Sequence, residues 1–492
     1  MHTPSTPLTL LILLPAVALA ATAPTSAQDA TDFVTSHVEA HRSDHERVAK
    51  RIWELAEVGY QEDESSALLQ ERVAAAGFRV ESGVAGMPTA FVAEWGSGGP
   101  VIGILAEFDA LPGITNAAVP QRSPQPEKGA GHACGHHLFG TGSTAAALAV
   151  KAWLEESGHA GTVRLYGTPA EEGGAGKVYM VREGLFDDVD VVLHWHAGDA
   201  NSASPSTSLA NKSAKFRFTG RSSHAAGAPH RGRSALDGVM AMNFMVNMIR
   251  EHVPQETRIH YVITAGGNAP NVVPDFAEVY YYVRHPDPAT DQGIFERVVD
   301  AAEAGALGTG TEMEYEIIHG LYNVLPNETL SRLMWENLNE VGGVQYDARE
   351  RAFAESIRST LGGDAPPIES AAEILPFDYQ RSGMGSTDVG DVSWKVPTVG
   401  LRTATWVPGT SAHSWQAVAA GGTSIGIKGM INAAKTLAMT AVDLYRSPEI
   451  VAEAKAEWEE KVPDDFVYEP LLGDRPPPLD YRVNPGGGGG QR

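Results

Sequence analysis

The segment GHACGHH, residues 131–137, contains the side chains in this sequence that are best suited to binding a metal ion. It includes Cys134, the only cysteine of the chain, and His136 two positions later. A thiolate and an imidazole at this spacing can bind one divalent cation together, and soft sulfur with imidazole nitrogen favours zinc-like metals. We therefore predict that Cys134 is a metal ligand and not an ordinary buried cysteine. The neighbouring His132 and His137 are weaker candidates that could serve only in packing.

Three later clusters could complete the site: the acidic pair Glu171–Glu172, the triplet His194-Trp195-His196, and His413. His194 and His196 point to the same side of an extended chain, so both stay open as ligands, and we favour His196. The predicted ligand set is Cys134, His136, Glu172, His196 and His413. Five ligands with one bridging thiolate suit two ions, which can acidify a shared water.

Proton transfer needs a carboxylate that does not bind the metal, and Glu171 is the predicted general acid and base because it adjoins Glu172. Asp109 is expected to hydrogen-bond His136 and to fix its tautomer. Further along the chain, His224 could donate a hydrogen bond to the oxyanion that develops during hydrolysis. Arg284 could form a bidentate pair with a substrate carboxylate, and Asn271 lies in a nearby polar loop.

The net charge excludes some classes of partner, and the length indicates more than one domain. The 492 residues include 37 basic and 61 acidic side chains, giving a net charge of −24. Nucleic acids and anionic membranes need a basic footprint on the protein, so neither is an expected partner. The length also predicts two or more domains.

The N-terminus begins with a short apolar run, Leu8–Ala20, followed by small residues that offer Ala-x-Ala cleavage sites. It resembles a secretory signal and is too short for a membrane span, although its first residues contain no Lys or Arg. We expect residues 1–27 to be a signal peptide and the protein to be secreted or periplasmic. If the leader is not a signal, the expected location is the cytoplasm.

The candidate ligands follow short apolar runs that are typical of strands, and helical patterns come between these runs. The predicted strands are Val101–Leu105, Thr162–Tyr166, Val189–Leu193 and Thr398–Leu401. This alternation predicts an α/β domain with a mostly parallel sheet, whose ligands bind beyond the carboxyl ends of the strands. The helix after Cys134 and His136 is predicted to begin near Thr141.

The middle of the chain shows β-type alternation with two helical patterns, 233–252 and 291–305, in the order β-α-β-β-α-β. This order predicts an inserted ferredoxin-like α+β module that could act as a lid or in dimerisation. The expected divisions are a catalytic domain in two parts, 28–212 and 328–447, the inserted module 213–327, and a C-terminal extension 448–492. Residues 475–492 are rich in Pro and Gly and are expected to be flexible.

Six motifs together resemble the metal-dependent aminoacylase and carboxypeptidase family. They are HACGHH (132–137), GTPAEEGGAGK (167–177), WHAGD (195–199), GRSSHAA (220–226), GGNAPNVVPD (266–275) and GSTDVGDVSW (385–394). The similarity runs from about residue 35 to 446. It is strongest to the amidohydrolase branch that contains hippurate hydrolases, indole-acetyl amino-acid hydrolases and aminobenzoyl-glutamate hydrolases. The last motif is especially like that of the B-type subunit of aminobenzoyl-glutamate hydrolase.

This resemblance implies a dinuclear centre with the five ligands named above and a homodimer formed through the inserted module. It also implies that His224 completes the partner subunit's site and that Asn271 and Arg284 hold the substrate's carboxylate. Two positions depart from the family pattern: His137 replaces an Asp or Asn, and Ala197 replaces a Pro. Zinc is the expected metal on ligand softness, with manganese or cobalt as alternatives.

The expected reaction is hydrolysis of the amide bond in an N-acyl or N-aroyl amino acid, such as an aminobenzoyl-glutamate-like compound. Two alternatives stay open. One is a dipeptidase or carboxypeptidase, and the other is a catalytically silent, metal-dependent binding protein that needs a second subunit.

Overall fold

The computed structural model describes residues 27–379 and 385–483, so residues 1–26 of the predicted leader lie outside the described residues. Its helices are Ala27–Ala40 (α1), Arg42–Leu55 (α2), Asp63–Ala75 (α3), His136–Ser157 (α4), Gly176–Arg182 (α5), Ala235–Ile249 (α6), Pro288–Thr309 (α7), Glu328–Val341 (α8), Ala348–Arg358 (α9), Val389–Ser393 (α10), Trp415–Gly421 (α11), Ser424–Arg446 (α12) and Pro448–Lys461 (α13). Its strands are Arg79–Ser82 (β1), Phe91–Ser97 (β2), Val101–Ala106 (β3), Leu111–Pro112 (β4), Ala130–Gly131 (β5), Gly161–Gly167 (β6), Val191–Gly198 (β7), Ala210–Thr219 (β8), Arg258–Ala265 (β9), Phe276–His285 (β10), Glu312–Leu321 (β11) and Thr398–Ala404 (β12). In these two ranges we find no helix with the length and apolarity to cross a membrane.

The larger body is built on a sheet that has six strands within the described residues, in the order β1-β2-β6-β3-β7-β12. Strands β6, β3, β7 and β12 pair in parallel, whereas β1 and β2 form an antiparallel edge. Strand β6 is buried along its whole length, as expected for a strand covered on both faces. Helices α4 and α12 pack on each other and on this sheet. The predicted α/β fold with a mostly parallel sheet is confirmed.

The smaller body has a four-stranded antiparallel sheet in the order β11-β8-β10-β9, described from Ala210 to Leu321. Helices α6 and α7 pack together and against it, around a separate core that includes Phe216, Tyr281 and Phe295. The chain order β-α-β-β-α-β and this strand order are those of a ferredoxin-like module. The fold predicted for the insertion is confirmed, and its domain boundaries stay predictions.

The two largest errors in the predicted element boundaries both lie at the ligand clusters. Helix α4 begins at His136 and not near Thr141. Gly135 precedes it with φ 81°, a left-handed conformation that glycine adopts readily and that permits an abrupt helix start. Strand β7 does not end at Leu193 but continues to Gly198, because it pairs with β12 along this stretch.

Within the C-terminal segment that is predicted to be flexible, residues 475–483 pack on both bodies, and the flexibility stays a prediction. Arg475 donates hydrogen bonds of 2.7 and 2.9 Å to the carbonyls of Ile317 and Ile318 on β11. Gln61 donates to the carbonyl of Leu479 at 2.8 Å. Specific side-chain contacts therefore hold a Pro-rich segment that composition alone marks as a linker. The glycine run that follows lies outside the described residues.

Candidate metal centre

Two sets of potential metal ligands share the sulfur of Cys134. In each set the three ligand atoms lie within 4.8 Å of one another. The first set is Cys134, His136 and His196, and the second is Cys134, Glu172 and His413. Together they contain the five ligands expected from the sequence. One thiolate between two sets of donors is an arrangement that can hold two cations side by side.

The spacing and the hydrogen bonding of these atoms fit bound cations. Cys134 Sγ lies 3.4 Å from His196 Nε2, and Glu172 Oε1 lies 3.2 Å from His413 Nε2. Nitrogen or oxygen ligands of one tetrahedral zinc are separated by about 3.4 Å. His136 Nε2 and Glu172 Oε1 are buried, and besides their close contacts with other polar groups of the cluster they make no hydrogen bond of good geometry within the described residues. A bound cation would satisfy both atoms.

The elements of the larger body bring the ligands together from four stretches of chain. Cys134 and His136 lie at the start of α4, Glu172 lies in the turn after β6, and His196 lies near the end of β7. His413 follows β12 and has an uncommon positive φ of 59°. The backbone N–H of His413 donates to the carbonyl of Ala133 at 2.9 Å. This bond holds His413 next to the loop that carries Cys134.

Asp109 contacts two of these residues at once. Its Oδ1 accepts from His136 Nδ1 at 2.8 Å, and its Oδ2 accepts the backbone N–H of Glu172 at 2.9 Å. Because Nδ1 of His136 donates to the carboxylate, the lone pair of Nε2 is left available for a cation. Asp109 thus has the position that the sequence predicts for it, and it also orients the backbone of Glu172.

The remaining histidines lie outside both ligand sets. His194 packs over Gly400 of β12, and burial lowers the pKa of His194 to about 3. His132 and His137 direct their Nε2 atoms at the carbonyls of Ile52 and Gly421, at 3.0 and 3.1 Å. These contacts hold neighbouring segments together. Of the histidine pair that the sequence left open, the structure places only His196 beside Cys134.

Glu171 forms a third group with His136 and Glu107, again with ligand atoms within 4.8 Å of one another. Burial, reinforced by the negative charges of Glu107 and Glu172, raises the pKa of Glu171. Its carboxylate lies beside the two ligand sets and belongs to neither. This is the placement that a proton-transferring group needs.

A buried charge network next to Glu171 was missed by sequence reasoning. Glu107 Oε1 and Asp388 Oδ1 each lie 2.7 Å from Lys177 Nζ, and all three side chains are at most 1% exposed. Burial alone would lower the pKa of Lys177, but Asp388 and Glu107 raise it above its usual range. Glu107 Oε2 also lies 3.1 Å from His136 Nε2. The position of Glu107 directly after β3, in the same cluster as Asp109, was the available signal.

The residues predicted to bind substrate lie in the smaller body and do not form one pocket within a single chain. His224 and Asn271 lie on adjoining loops, where Ala225 donates to the carbonyl of Asn271 at 3.0 Å. These loops lie at the Phe276 end of β10, whereas Arg284 lies near its other end. With the rise per residue of an extended strand, Arg284 is about 27 Å from Phe276. His224 and Asn271 therefore form one group and Arg284 another.

Comparison with known proteins relates the whole architecture to one family. Residues 103–417 match the model of peptidase family M20/M25/M40. The chain is 40% identical over 456 residues to the B-type subunit of p-aminobenzoyl-glutamate hydrolase from Escherichia coli, covering 87% of this chain and 95% of that protein. It is 30% identical over 435 residues to the Xaa-Arg dipeptidase of Mus musculus, covering 85% and 89%.

A solved structure agrees at the level of the fold. A dinuclear metal-binding peptidase of the M20 family from Bacillus subtilis superposes with a TM-score of 0.57 at 18% identity, covering 83% of this chain and 99% of that one. The family model spans most of the larger body and the whole insertion, and the Escherichia coli relative aligns over nearly its entire length. The chain belongs to peptidase family M20/M25/M40 and is a metal-dependent hydrolase of that family.

Proposed function

We propose that this protein hydrolyses the amide bond between an acyl or aroyl group and an amino acid with a free carboxylate, as in aminobenzoyl-glutamate-like compounds. The observation that carries the proposal is the pair of ligand sets joined at Cys134, with Glu171 beside them and outside both. The Escherichia coli relative, which is named as a p-aminobenzoyl-glutamate hydrolase chain, supports this substrate class.

The proposed chemistry divides between the cations and the side chains of this chain. Two divalent cations, when bound, would acidify a shared water and polarise the scissile carbonyl. Glu171 accepts a proton from the attacking water and delivers it to the leaving nitrogen. Asp109 keeps Nε2 of His136 directed at the centre, and His224 of a second copy donates a hydrogen bond to the oxyanion. We propose zinc as the metal, with manganese or cobalt as alternatives.

Arg284 is proposed to bind the substrate carboxylate. Its Nε is buried and has no hydrogen-bond partner within the described residues, and the same is true of Nε2 of His319. Strand pairing places Arg284 opposite Asn211, whose Nδ2 lies 3.4 Å from His319 Nδ1, so Arg284 and His319 lie in the same part of the sheet. A carboxylate would satisfy the free donor of Arg284. Asn271 is proposed to act together with His224 because their loops adjoin.

A homodimer is proposed to bring these groups to the centre. Met240, Phe244 and Met248 are spaced four residues apart on α6, and each is more than half exposed. Strand β9 forms the edge of the smaller sheet and also exposes Val262. An apolar helix face beside a sheet edge is a surface that a second copy can cover. Assembly with a different chain is a second proposal, supported by the Escherichia coli relative, whose name describes it as one subunit of its enzyme.

We also propose that residues 1–27 direct export of the protein. Sequencing the N-terminus of the protein recovered from the periplasm or the medium would test this, because export with cleavage leaves a mature chain that begins after the leader.

The proposed reaction is tested with the Glu171→Gln variant of the full chain, reconstituted in parallel with zinc, manganese and cobalt. We expect amino-acid release from acyl-glutamate and acyl-phenylalanine substrates to fall by a factor of about 10²–10⁴ while the metal stays bound. Near-normal turnover with bound metal would show that Glu171 does not transfer the proton.

A dipeptidase is the second candidate, favoured by the similarity to the Xaa-Arg dipeptidase. Dipeptides with free amines, including Xaa-Arg, are assayed beside the N-acyl amino acids. Preference for the free amine would replace the proposed substrate class. If the purified chain with its full metal content turns over neither class, the alternative of a catalytically silent binding protein is favoured.

A further inference from the structure

The C-terminal segment 475–483, here called the strap, crosses the loop that carries Glu172. Tyr481 Oη donates to the backbone carbonyl of Glu172 at 3.0 Å, and Arg482 Nη2 donates to the same oxygen. The strap lies beyond residue 417, where the match to the family model ends. Residues outside that match thus contact the backbone of a proposed metal ligand.

These bonds complete the fixation of the Glu172 backbone. The N–H of Glu172 donates a hydrogen bond to Asp109, and its carbonyl accepts hydrogen bonds from the strap. Both polar backbone groups of Glu172 therefore have partners in other segments. The loop is irregular, with positive φ values of 58° at Ala170 and 92° at Gly173. Within the turn, Gly174 donates to the carbonyl of Ala170 at 2.9 Å. The backbone groups of Glu172 instead find their partners in other segments, Asp109 and the strap.

The strap is itself well anchored. Arg182 donates to the carbonyl of Arg475 at 2.9 Å, and Arg475 in turn binds the smaller body through β11. The guanidinium of Arg482 stacks on the ring of Tyr481 at 4.7 Å. A side chain at Gly59 would overlap the Tyr481 hydroxyl, so the absence of a side chain there makes room for the strap.

We infer that Tyr481 and Arg482 are positioning residues that hold Glu172 in the conformation needed to bind its cation. The inference rests on the proposed function, because it takes Glu172 as a metal ligand. Partners that orient a ligand from outside the coordination sphere typically contribute 10–100-fold to metal affinity. The strap acts on the backbone of Glu172, and its side chains need not touch substrate.

The test compares Tyr481→Phe, Arg482→Met and the double variant with Val483→Ala, a matched control whose side chain is 58% exposed at the end of the strap. Metal-free full-length proteins are titrated with Zn²⁺ and Mn²⁺ against a chromophoric chelator, and their melting temperatures are measured without metal. We expect the double variant to bind metal about 10-fold more weakly or worse, with Val483→Ala unchanged. Arg482→Lys, which keeps a donor, should recover part of the affinity.

A lower metal-free melting temperature with unchanged metal affinity would mean that the strap only stabilises the fold, and it would overturn the inference. Glu172→Gln is measured in parallel to separate the role of the strap from the role of the ligand. If Glu172→Gln retains wild-type affinity, the proposed centre is wrong and the inference falls with it. If Glu172→Gln loses affinity and the double strap variant does not, only the role of the strap is rejected.

Discussion

Two side chains of the metal centre each serve two partners. The sulfur of Cys134 lies in both ligand sets, and the carboxylate of Asp109 binds His136 and the backbone of Glu172. A change at either residue therefore affects ligands of both proposed cations. The two cation sites should be lost together and not one at a time.

At the same scale, Lys177→Met should destabilise the protein strongly. Glu107 and Asp388 are at most 1% exposed, and Lys177 is the cation that both contact at 2.7 Å. Removing one partner from a buried ion pair typically costs about 3–5 kcal/mol, because the remaining charges stay buried without compensation. Urea unfolding of the metal-free protein measures this loss.

Lys395→Met is the control, because Lys395 pairs with Asp187 in a largely exposed contact worth about 1 kcal/mol or less. Adding Asp388→Asn to Lys177→Met should restore part of the lost stability. An equal loss in both lysine variants would contradict a special role for the buried network.

The candidate ligands that the structure brings together could be selected from the sequence because thiol, imidazole and paired carboxylates are uncommon in such short motifs. Lys177 and Asp388 could not be paired in this way. They are 211 positions apart, and charged residues are ordinarily exposed, so only the folded chain shows that they are buried together. The contacts of Tyr481 and Arg482 were hidden for a similar reason, since their segment has the composition of a linker.

At the scale of elements, the ligands converge because the parallel strands β6, β7 and β12 end at the same edge of the sheet. Their apolar runs and the polar residues after them predicted this edge correctly. The exact ends of α4 and β7 were not predictable. The left-handed conformation of Gly135 and the pairing of β7 with β12 are set by tertiary contacts.

Helix α7 gives a prediction about pH. Asp291 in its first turn is buried without a hydrogen-bond partner in the described chain, and burial raises its pKa to about 8, partly offset by Lys212 and Arg284. The folded state thus keeps a proton that the unfolded state releases near pH 4. Folding stability should therefore fall as pH rises from about 4 to 8.

Asp291→Asn removes this loss because the amide is neutral at every pH. We expect its stability relative to the wild type to grow by on the order of 4 kcal/mol between pH 5 and pH 8 in urea unfolding. Asp300→Asn, at an exposed position on the same helix, should show no such trend. A constant difference between Asp291→Asn and wild type across this range would contradict the prediction.

At the scale of the whole molecule, the insertion was predictable from its alternating pattern and its β-α-β-β-α-β order. The link between the two bodies was not, since Arg475 reaches β11 from the far end of the chain. The separation of Arg284 from Asn271 follows from the sequence, because Asn271 precedes β10 and Arg284 lies near its end, but the placement of the His224 loop beside Asn271 required the fold.

Phe244→Glu should convert the proposed dimer to a monomer. Phe244 is 69% exposed at the centre of the apolar face of α6, and a charge there would have to be desolvated in an interface. Size-exclusion chromatography with light scattering measures the change. Leu307→Glu, at an isolated position that is 86% exposed on α7, is the control and should leave the mass unaltered. A monomeric wild type, or a dimeric Phe244→Glu, would reject this interface.

The presence of one cysteine in the entire chain, placed between both ligand sets, has a consequence for anyone handling the enzyme. Burial covers this sulfur and raises the pKa of its thiol, so alkylating reagents should reach it only when the protein unfolds. Labelling that single thiol with iodoacetamide during urea unfolding and counting the tags by intact mass would therefore report the unfolded fraction of a preparation, with no background from other cysteines.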